Sequence, residues 1–146
     1  MHNSEKEYLK HYNIHDYDVP LVSVDVAIFT LLDGKLHVLM VERGEFPQKG
    51  RWSLPGGFIN QKHDKDLHST ALRKLIEKTG VKAPHLEQVT TLGNPNRDPR
   101  GWSVTSLYMA LIPYAPTAEF IDAVVDARWW PVDAALKQTL AFDHAD

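Results

Sequence analysis

One stretch, residues 54–81, constrains the fold of this chain more than any other. It reads LPGGFINQKHDKDLHSTALRKLIEKTGV: a pair of glycines, a polar loop and an amphipathic helix. Apolar side chains recur at helical spacing within residues 66–79, so one side of this helix is predicted to face a core. Gly80 is the residue type that most readily ends a helix in the left-handed conformation. The remaining elements are therefore predicted to pack around this loop and helix.

A second face of the predicted helix carries charge. Lys74, Glu77 and Lys78 are neighbours there, because residues three and four positions apart lie on the same side of a helix. The preceding loop is expected to bring this patch close to Gly56 and Gly57. Taken alone, such a patch is more typical of a solvated surface than of a binding site.

The residues around the patch are more specific. The segment Trp52–Phe58, followed by a helix with Arg73 and Gly80 in register, resembles the Nudix hydrolases. Their signature is Gly, five residues, Glu, seven residues, then Arg-Glu-apolar-x-Glu-Glu-x-Gly-apolar. Aligned from its end, it places Arg73 on its arginine and Glu77 on the first of its paired glutamates. The resemblance implies a single-domain α/β fold, an α/β/α sandwich with a mixed sheet.

Three acidic positions of that signature carry lysine in this chain, and the loop after Gly57 is two residues longer. The lysines are Lys65, Lys74 and Lys78. The family's glutamates hold divalent metals, and magnesium needs negatively charged oxygen ligands. A lysine about 4 Å from a metal position opposes the ion by roughly 4 kcal/mol per unit-charge pair at an effective dielectric near 20. We therefore expect no catalytic residues, no metal and no hydrolase activity, although ammonium groups can attract a ligand's phosphates.

Two loops carry arginines. Arg43 ends a predicted strand beside a loop rich in glycine and proline, where it can bind phosphate or pair with Glu42 or Glu45. Residues 97–101, Arg-Asp-Pro-Arg-Gly, can be an ordinary surface turn, but they resemble the Nudix branch that handles ADP-ribose. We expect alanine at Arg97 or Arg100 to weaken ligand binding and to leave the melting temperature nearly unchanged.

These features define a predicted ligand-binding set. It comprises Arg43, Trp52, Gly56, Gly57, Phe58, Lys65, Lys74, Glu77, Lys78, Arg97, Asp98 and Arg100. Asp25, within a predicted strand, is either a pocket carboxylate or a residue of the solvated face. His11, His15 and Asp16 suggest a metal, but a solvated terminus explains them better.

The other elements follow from local patterns. Ser4 and Glu7 form a capping box that predicts a short helix through Tyr12. The remaining predictions are a hairpin of Leu21–Leu32 and Leu36–Glu42 around Asp33-Gly34, strands at Leu86–Leu92, Trp102–Ile112 and Ala127–Val132, and a helix at Asp133–Leu140. Trp129 and Trp130 are expected to pack in a core or at an edge and not to form a ligand cage.

Composition narrows the class of protein. The chain has 146 residues, of which 43% are hydrophobic and 24% charged, as expected for one globular domain. A net charge of −3 argues against a broad nucleic-acid-binding surface on this chain. The sequence has no cysteine, which excludes disulfides and thiolate metal sites, and no apolar run of about 20 residues. We expect a soluble cytoplasmic protein.

The resemblance implies a function. Within the ADP-ribose branch, the chain is most similar to the effector domain of the NrtR-type transcriptional regulators of NAD metabolism, which bind ADP-ribose. Residues 141–146 resemble the junction that precedes their winged-helix DNA-binding domain, so we expect such a domain to lie outside this chain. The resemblance also suggests a homodimer. One alternative is an ADP-ribose pyrophosphatase with a rearranged metal site that recruits Asp64, Asp66 or Glu77; another is a structural pseudoenzyme that mediates protein contacts.

Overall fold

The computed structural model describes residues 4–117 and 124–146. In these ranges the strands are β1 (Leu21–Leu32), β2 (Lys35–Arg43), β3 (Trp52–Ser53), β4 (Gly56–Phe58), β5 (Glu87–Asn94), β6 (Ser103–Leu111) and β7 (Val124–Pro131). The helices are α1 (Glu5–His11), α2 (Leu67–Thr79) and α3 (Val132–Leu136), and a 3-10 turn covers Ile14–Asp16. No helix in these ranges is both long and apolar enough to cross a membrane.

The strands form one mixed sheet with β1 at its centre. β6 runs parallel to β1 along one edge, and β5 pairs antiparallel with β6. Along its other edge β1 pairs first with β4 and then with β2, whose own partners include β3 and β7. Asp25 therefore lies between Gly56 of β4 and Leu107 of β6. This change of partners places a polar strand segment beside the glycine pair.

The predicted hairpin is confirmed. β1 and β2 are joined at Asp33 and Gly34, whose φ angles are 51° and 72°. Two positive φ angles give a turn whose twist matches that of the flanking strands. Such a turn suits Asp-Gly because glycine adopts this conformation without steric cost.

Helices cover both faces of the sheet, as an α/β/α sandwich requires. Ala71 and Leu75 of α2 are fully buried in one cluster with alternate residues of β1, including Val24 and Val26. Ala135 of α3 packs on the opposite face, against alternate residues of β2 that include Met40. Because successive strand residues point to opposite faces, β2 contributes to both layers.

Helix α2 begins one residue after its predicted start at Asp66 and ends at Gly80 as predicted. The Asp66 carboxylate accepts a hydrogen bond from the Ser69 amide at 2.7 Å, which caps the first turn. Gly80 follows the last turn with φ 71°, and its amide donates to the Ile76 carbonyl at 2.8 Å. The predicted cap of α1 is also present, with the Glu7 amide donating to the Ser4 hydroxyl at 3.2 Å.

The last part of the chain differs from its prediction. Helix α3 ends at Leu136, and residues 140–146 turn back toward β3, where the Ala141 amide donates to the Trp52 carbonyl at 2.9 Å. The Trp52 carbonyl on β3 replaces a helical partner for the Ala141 amide. This is a tertiary contact, which helical periodicity does not reveal.

The tryptophans pack as expected: Trp129 lies against the core on the α2 side of the sheet, and Trp130 meets Trp52 edge-on with ring centroids 5.1 Å apart.

Candidate functional site

A cavity opens where β1 changes partners, between α2, the loops after β2 and β5, and the end of the chain. Its lining residues are Ser23, Asp25, Val41, Arg43, Glu45, Phe46, Ser53, Leu54, Gly56, Gly57, Phe58, Lys74, Lys78, Arg97, Asp98, Arg100, Phe142 and His144. The lining combines cationic, acidic and aromatic side chains. Such a mixture suits a ligand that carries both phosphate and ring groups.

The glycine pair is required by close approaches. A side chain at Gly56 would overlap the carbonyl oxygen of Val24, so only glycine lets β4 lie this close to β1. A Cβ at Gly57 would lie 2.7 Å from Cε of Lys74. Glycine at this position therefore leaves room for the lysine side chain of α2 to cross β4.

Two lysines of α2, Lys74 and Lys78, form the helical wall of the cavity. Nζ of Lys74 lies 3.3 Å from a carboxylate oxygen of Glu77. Glu77 also accepts hydrogen bonds from Arg73, at 3.1 Å to each oxygen. Burial would raise the pKa of Glu77, but the bonds from Arg73 and the charge of Lys74 lower it overall. Glu77 therefore stays charged and is drawn toward the helix surface, outside the cavity lining.

The facing wall alternates guanidinium groups with aromatic rings. The Arg100 guanidinium carbon lies 4.7 Å from the ring centroid of Phe58 and 5.7 Å from that of Phe142. The Arg43 guanidinium carbon lies 4.8 Å from the same Phe142 ring. Burial, followed by the charge of Arg100, lowers the pKa of Arg43 from its usual value. Each cation thus rests on an aromatic face, an attractive arrangement.

Hydrogen bonds hold these arginines in place. Nε of Arg43 donates to the Pro47 carbonyl at 2.8 Å. Arg100 forms a fork on Asp98, with Nε to Oδ1 at 3.0 Å and Nη2 to Oδ2 at 2.8 Å. Burial would raise the pKa of Asp98, but the Arg100 contacts lower it overall. Both guanidinium groups are therefore oriented before any ligand arrives.

A buried polar network forms the base of the cavity around Asp25. Thr105 donates to Asp25 Oδ2 at 2.6 Å, and Nε2 of His144 lies 3.4 Å from Oδ1. The other ring nitrogen of His144 accepts a hydrogen bond from the Leu54 amide at 3.0 Å, so Nε2 carries the proton that faces Asp25. Burial would raise the pKa of Asp25, but its contacts with His144 and Thr105 and the charge of Arg97 lower it overall. Asp25 is therefore a cavity carboxylate and not a residue of the solvated face.

Arg97 differs from its expected role as an exposed loop arginine. Its residue is only 8% exposed, and its guanidinium forms two hydrogen bonds with Asp143, each 3.0 Å long. A third bond reaches the Ser103 hydroxyl at 2.9 Å. Because its partners are buried protein groups, we no longer expect alanine at this position to leave the melting temperature unchanged.

The acid that pairs with the signature arginine lies one residue before Lys65. Asp64 accepts hydrogen bonds from Arg73 at 2.8 Å and 2.7 Å, from the Asn60 amide at 2.8 Å and from the Thr70 hydroxyl at 2.8 Å. The Arg73 bonds are the main reason that the pKa of Asp64 is far below its usual value. Lys65 itself is exposed in the loop.

The donor set does not fit a magnesium site. Asp64 and Glu77 are bonded to Arg73, and Asp66 caps α2. Within residues 4–117 and 124–146, no three acidic or histidine side chains lie close enough together to hold a metal ion, and this includes His11, His15 and Asp16. The candidate acids are engaged with cations or amides, whereas the cavity presents lysine and arginine.

Most of the predicted site converges on this cavity. The residues that line it are Arg43, Gly56, Gly57, Phe58, Lys74, Lys78, Arg97, Asp98 and Arg100. Trp52, Lys65 and Glu77 do not: Trp52 packs against Trp130, Lys65 lies in the exposed loop, and Glu77 faces Arg73.

Sequence reasoning missed another part of the lining. Ser23 shares the alternation that places Asp25 on the cavity side of β1, so strand periodicity was a usable signal. Phe142 and His144 had no such signal, because the non-helical end of the chain has no periodicity that predicts where it packs.

Comparisons with known proteins agree with this geometry. The family model of the NUDIX domain matches residues 22–146. The chain is 47% identical over 144 residues to the ADPR responsive transcriptional repressor NtrR of Acinetobacter baylyi. The matched region is 99% of this chain and 58% of that protein. The chain therefore spans less than two thirds of this relative.

Two solved structures are similar. The NUDIX domain of Shewanella oneidensis NrtR complexed with ADP ribose has 47% identity and a TM-score of 0.94, over 97% of this chain and 92% of that one. Shewanella oneidensis NrtR complexed with a 27mer DNA has 48% identity and a TM-score of 0.76, over 85% of this chain and 57% of that one.

Proposed function

The chain belongs to the Nudix family, and from this premise we propose that it is an effector domain that binds ADP-ribose in the cavity without hydrolysing it. One observation carries the proposal. Cationic side chains approach the cavity from both walls, Lys74 and Lys78 on one side and Arg43 and Arg100 on the other. Charge-assisted hydrogen bonds from such groups are the strong contacts by which proteins hold phosphate. The similar NUDIX domain in complex with ADP ribose supports this choice of ligand.

The same cations argue against metal-dependent hydrolysis. A divalent ion beside Lys74 and Lys78 would be repelled by both ammonium groups. The pyrophosphatase alternative would have to recruit Asp64, Asp66 or Glu77, and each has another hydrogen-bond partner. The cost is greatest for Asp64, whose side chain is 6% exposed, because moving it away from Arg73 would leave a nearly buried carboxylate without its charged partner. We therefore favour a binding domain over an enzyme.

We further propose that ligand binding regulates transcription of NAD biosynthesis genes. One similar protein is a transcriptional repressor, and another was solved in complex with DNA. Both are longer than the region that matches this chain. In this proposal the DNA contact is made by a winged-helix domain outside residues 1–146. The homodimer and the cytoplasmic location stay predictions.

Calorimetry in a chelator tests the binding proposal. ADP-ribose should bind the unmodified chain with the same affinity in EDTA and in magnesium, because protein cations neutralise the phosphates. Arg100→Ala should weaken binding by about 10- to 100-fold, the value of a charge-assisted hydrogen bond. Arg128→Ala is the matched control, since its guanidinium pairs with Asp126 away from the cavity lining.

Nucleotide chromatography tests the proposal that the chain does not hydrolyse ADP-ribose. No AMP should form when the chain is incubated with ADP-ribose and magnesium or manganese. Metal-dependent AMP production would favour the pyrophosphatase instead. Absence of saturable ADP-ribose binding would favour the structural pseudoenzyme.

A further inference from the structure

Residues 140–146, which we call the C-terminal segment, close one side of the cavity. Backbone and side-chain contacts attach it to β3, to the loop before β3 and to the loop after β5. The Ala141 amide donates to Trp52, the Phe142 amide donates to the Gln48 side chain at 2.7 Å, and Asp143 binds Arg97. The segment is thus held at successive residues.

Phe142 has an unusual backbone conformation within this segment. Its φ angle is 51°, in the left-handed region that a residue with a Cβ rarely adopts. Such conformations persist only where surrounding contacts determine them, and they cluster at functional sites. Here the Ala141 and Phe142 amides and the Asp143 carboxylate hold the segment in place, and Phe142 lines the cavity.

The guanidinium groups of two arginines lie near this ring. The guanidinium carbons of Arg43 and Arg100 lie 4.8 Å and 5.7 Å from its centroid. These two charges repel each other, and the charge of Arg100 contributes to the lowered pKa of Arg43. An aromatic ring attracts both, because its faces carry partial negative charge. Removing the ring would leave the hydrogen bonds to Pro47 and Asp98 in place but would remove the group that attracts both charges.

We propose that Phe142 is a positioning residue that holds Arg43 and Arg100 at the spacing that receives a diphosphate. The inference rests on the proposed function, because it takes the diphosphate of ADP-ribose as the ligand group between these cations. A diphosphate that binds both arginines also favours the docked position of the ring that both contact. Ligand binding and docking of the C-terminal segment are then coupled, and the coupling is reciprocal.

The test compares Phe142→Leu with Phe142→Tyr in the whole chain. Leucine keeps an apolar side chain but has no aromatic face, whereas tyrosine keeps that face. Calorimetry with ADP-ribose and with inorganic pyrophosphate should show about tenfold weaker binding for Phe142→Leu and near wild-type binding for Phe142→Tyr. Equal affinity of Phe142→Leu and the unmodified chain would overturn the proposal.

Hydrogen exchange of the unmodified chain gives an independent readout. ADP-ribose or pyrophosphate should slow exchange of the Ala141 and Phe142 amides, which are hydrogen-bonded only while the segment is docked. Unchanged exchange at saturating ligand contradicts the coupling, even if Phe142→Leu does not fold. If pyrophosphate binds and ADP-ribose does not, and if Phe142→Leu weakens pyrophosphate binding, the positioning role is supported and the proposed ligand is refuted. If neither compound binds, both proposals fall.

Discussion

At the scale of single residues, Arg97 shows how a loop arginine becomes structural. Its guanidinium forms a two-bond contact with Asp143 and reaches the Ser103 hydroxyl, while Asp25 lies 3.8 Å away. The neighbouring Arg100 has a side chain 38% exposed and projects toward the aromatic rings of the cavity. Two arginines three positions apart therefore have different tasks. Arg97 attaches the C-terminal segment, and Arg100 presents its charge to the cavity.

This division of tasks predicts the effect of Arg97→Ala on stability. The variant should lose about 3–5 kcal/mol of unfolding free energy, because breaking one partner out of a buried ion pair leaves the other charge uncompensated. Urea denaturation measures the loss. Arg128→Ala is the control and should change stability by less than about 0.5 kcal/mol, since its side chain is 63% exposed. Equal stability of the two variants would mean that the Arg97 network contributes little.

At the scale of elements, one ion pair joins helix α2 to the loop that precedes it. Asp64 in the loop binds Arg73 of the helix and also accepts a hydrogen bond from the Asn60 amide. The family signature, aligned from its end, places its first acid at position 65. In this chain the acid that binds Arg73 is Asp64, one residue earlier. This anchor sets the path of the chain between the glycine pair and the lysines of the helix.

The anchor predicts a specific pH dependence. The pKa of Asp64 is lowered on folding, so below its unfolded value of about 4 the unfolded chain binds more protons. Its contribution to stability is present above that pH and is lost as the pH falls through the folded pKa. Asp64→Asn should therefore make the unfolding free energy less steeply dependent on pH between about pH 5 and pH 2.5.

Denaturation of both proteins across this range measures the two slopes. Some slope should remain in Asp64→Asn, because the pKa values of Asp25, Glu77 and Asp98 are also lowered. Parallel pH profiles would show that the Asp64 carboxylate does not contribute as the geometry implies.

At the scale of the whole molecule, the cavity gathers distant parts of the chain. Its walls come from β1, β2, β4, α2, the loop after β5 and the C-terminal segment. These parts meet only in the folded protein, so an unfolded chain has no comparable site. A ligand that binds the cavity must then stabilise the entire domain.

ADP-ribose should raise the unfolding free energy by about 2.7 kcal/mol at a hundredfold excess over its dissociation constant. Chemical denaturation in EDTA, with and without the ligand, measures this gain. At the same ligand concentration the gain should be smaller in Arg100→Ala, whose affinity is reduced. A denaturation midpoint that does not move with ADP-ribose would contradict binding in a cavity built from these elements.

Local features of the fold could be predicted from residues that lie close together in the chain. The caps of α2 at Asp66 and Gly80 and the Asp33-Gly34 hairpin are of this kind. The glycine pair was visible as a turn signal, although the close approaches that require it involve Val24 and Lys74 elsewhere in the chain. Spacing and turn chemistry act over a few residues, and therefore they can be read before the fold is known. The replacement of acidic signature positions by Lys74 and Lys78 was visible for the same reason.

The closure of the cavity depends on contacts between residues that are far apart in the chain. The Leu54 amide meets the His144 ring 90 residues away, and Arg97 meets Asp143 46 residues away. No periodicity links such positions, because their contact depends on the packing of the sheet and of helix α3 between them. Phe142 is the clearest case: it lies in a segment bonded to β3, to Gln48 and to Arg97, its backbone is left-handed, and its ring lies near two cations. Local chemistry specified the helix and its lysines, and long-range packing specified the wall that faces them.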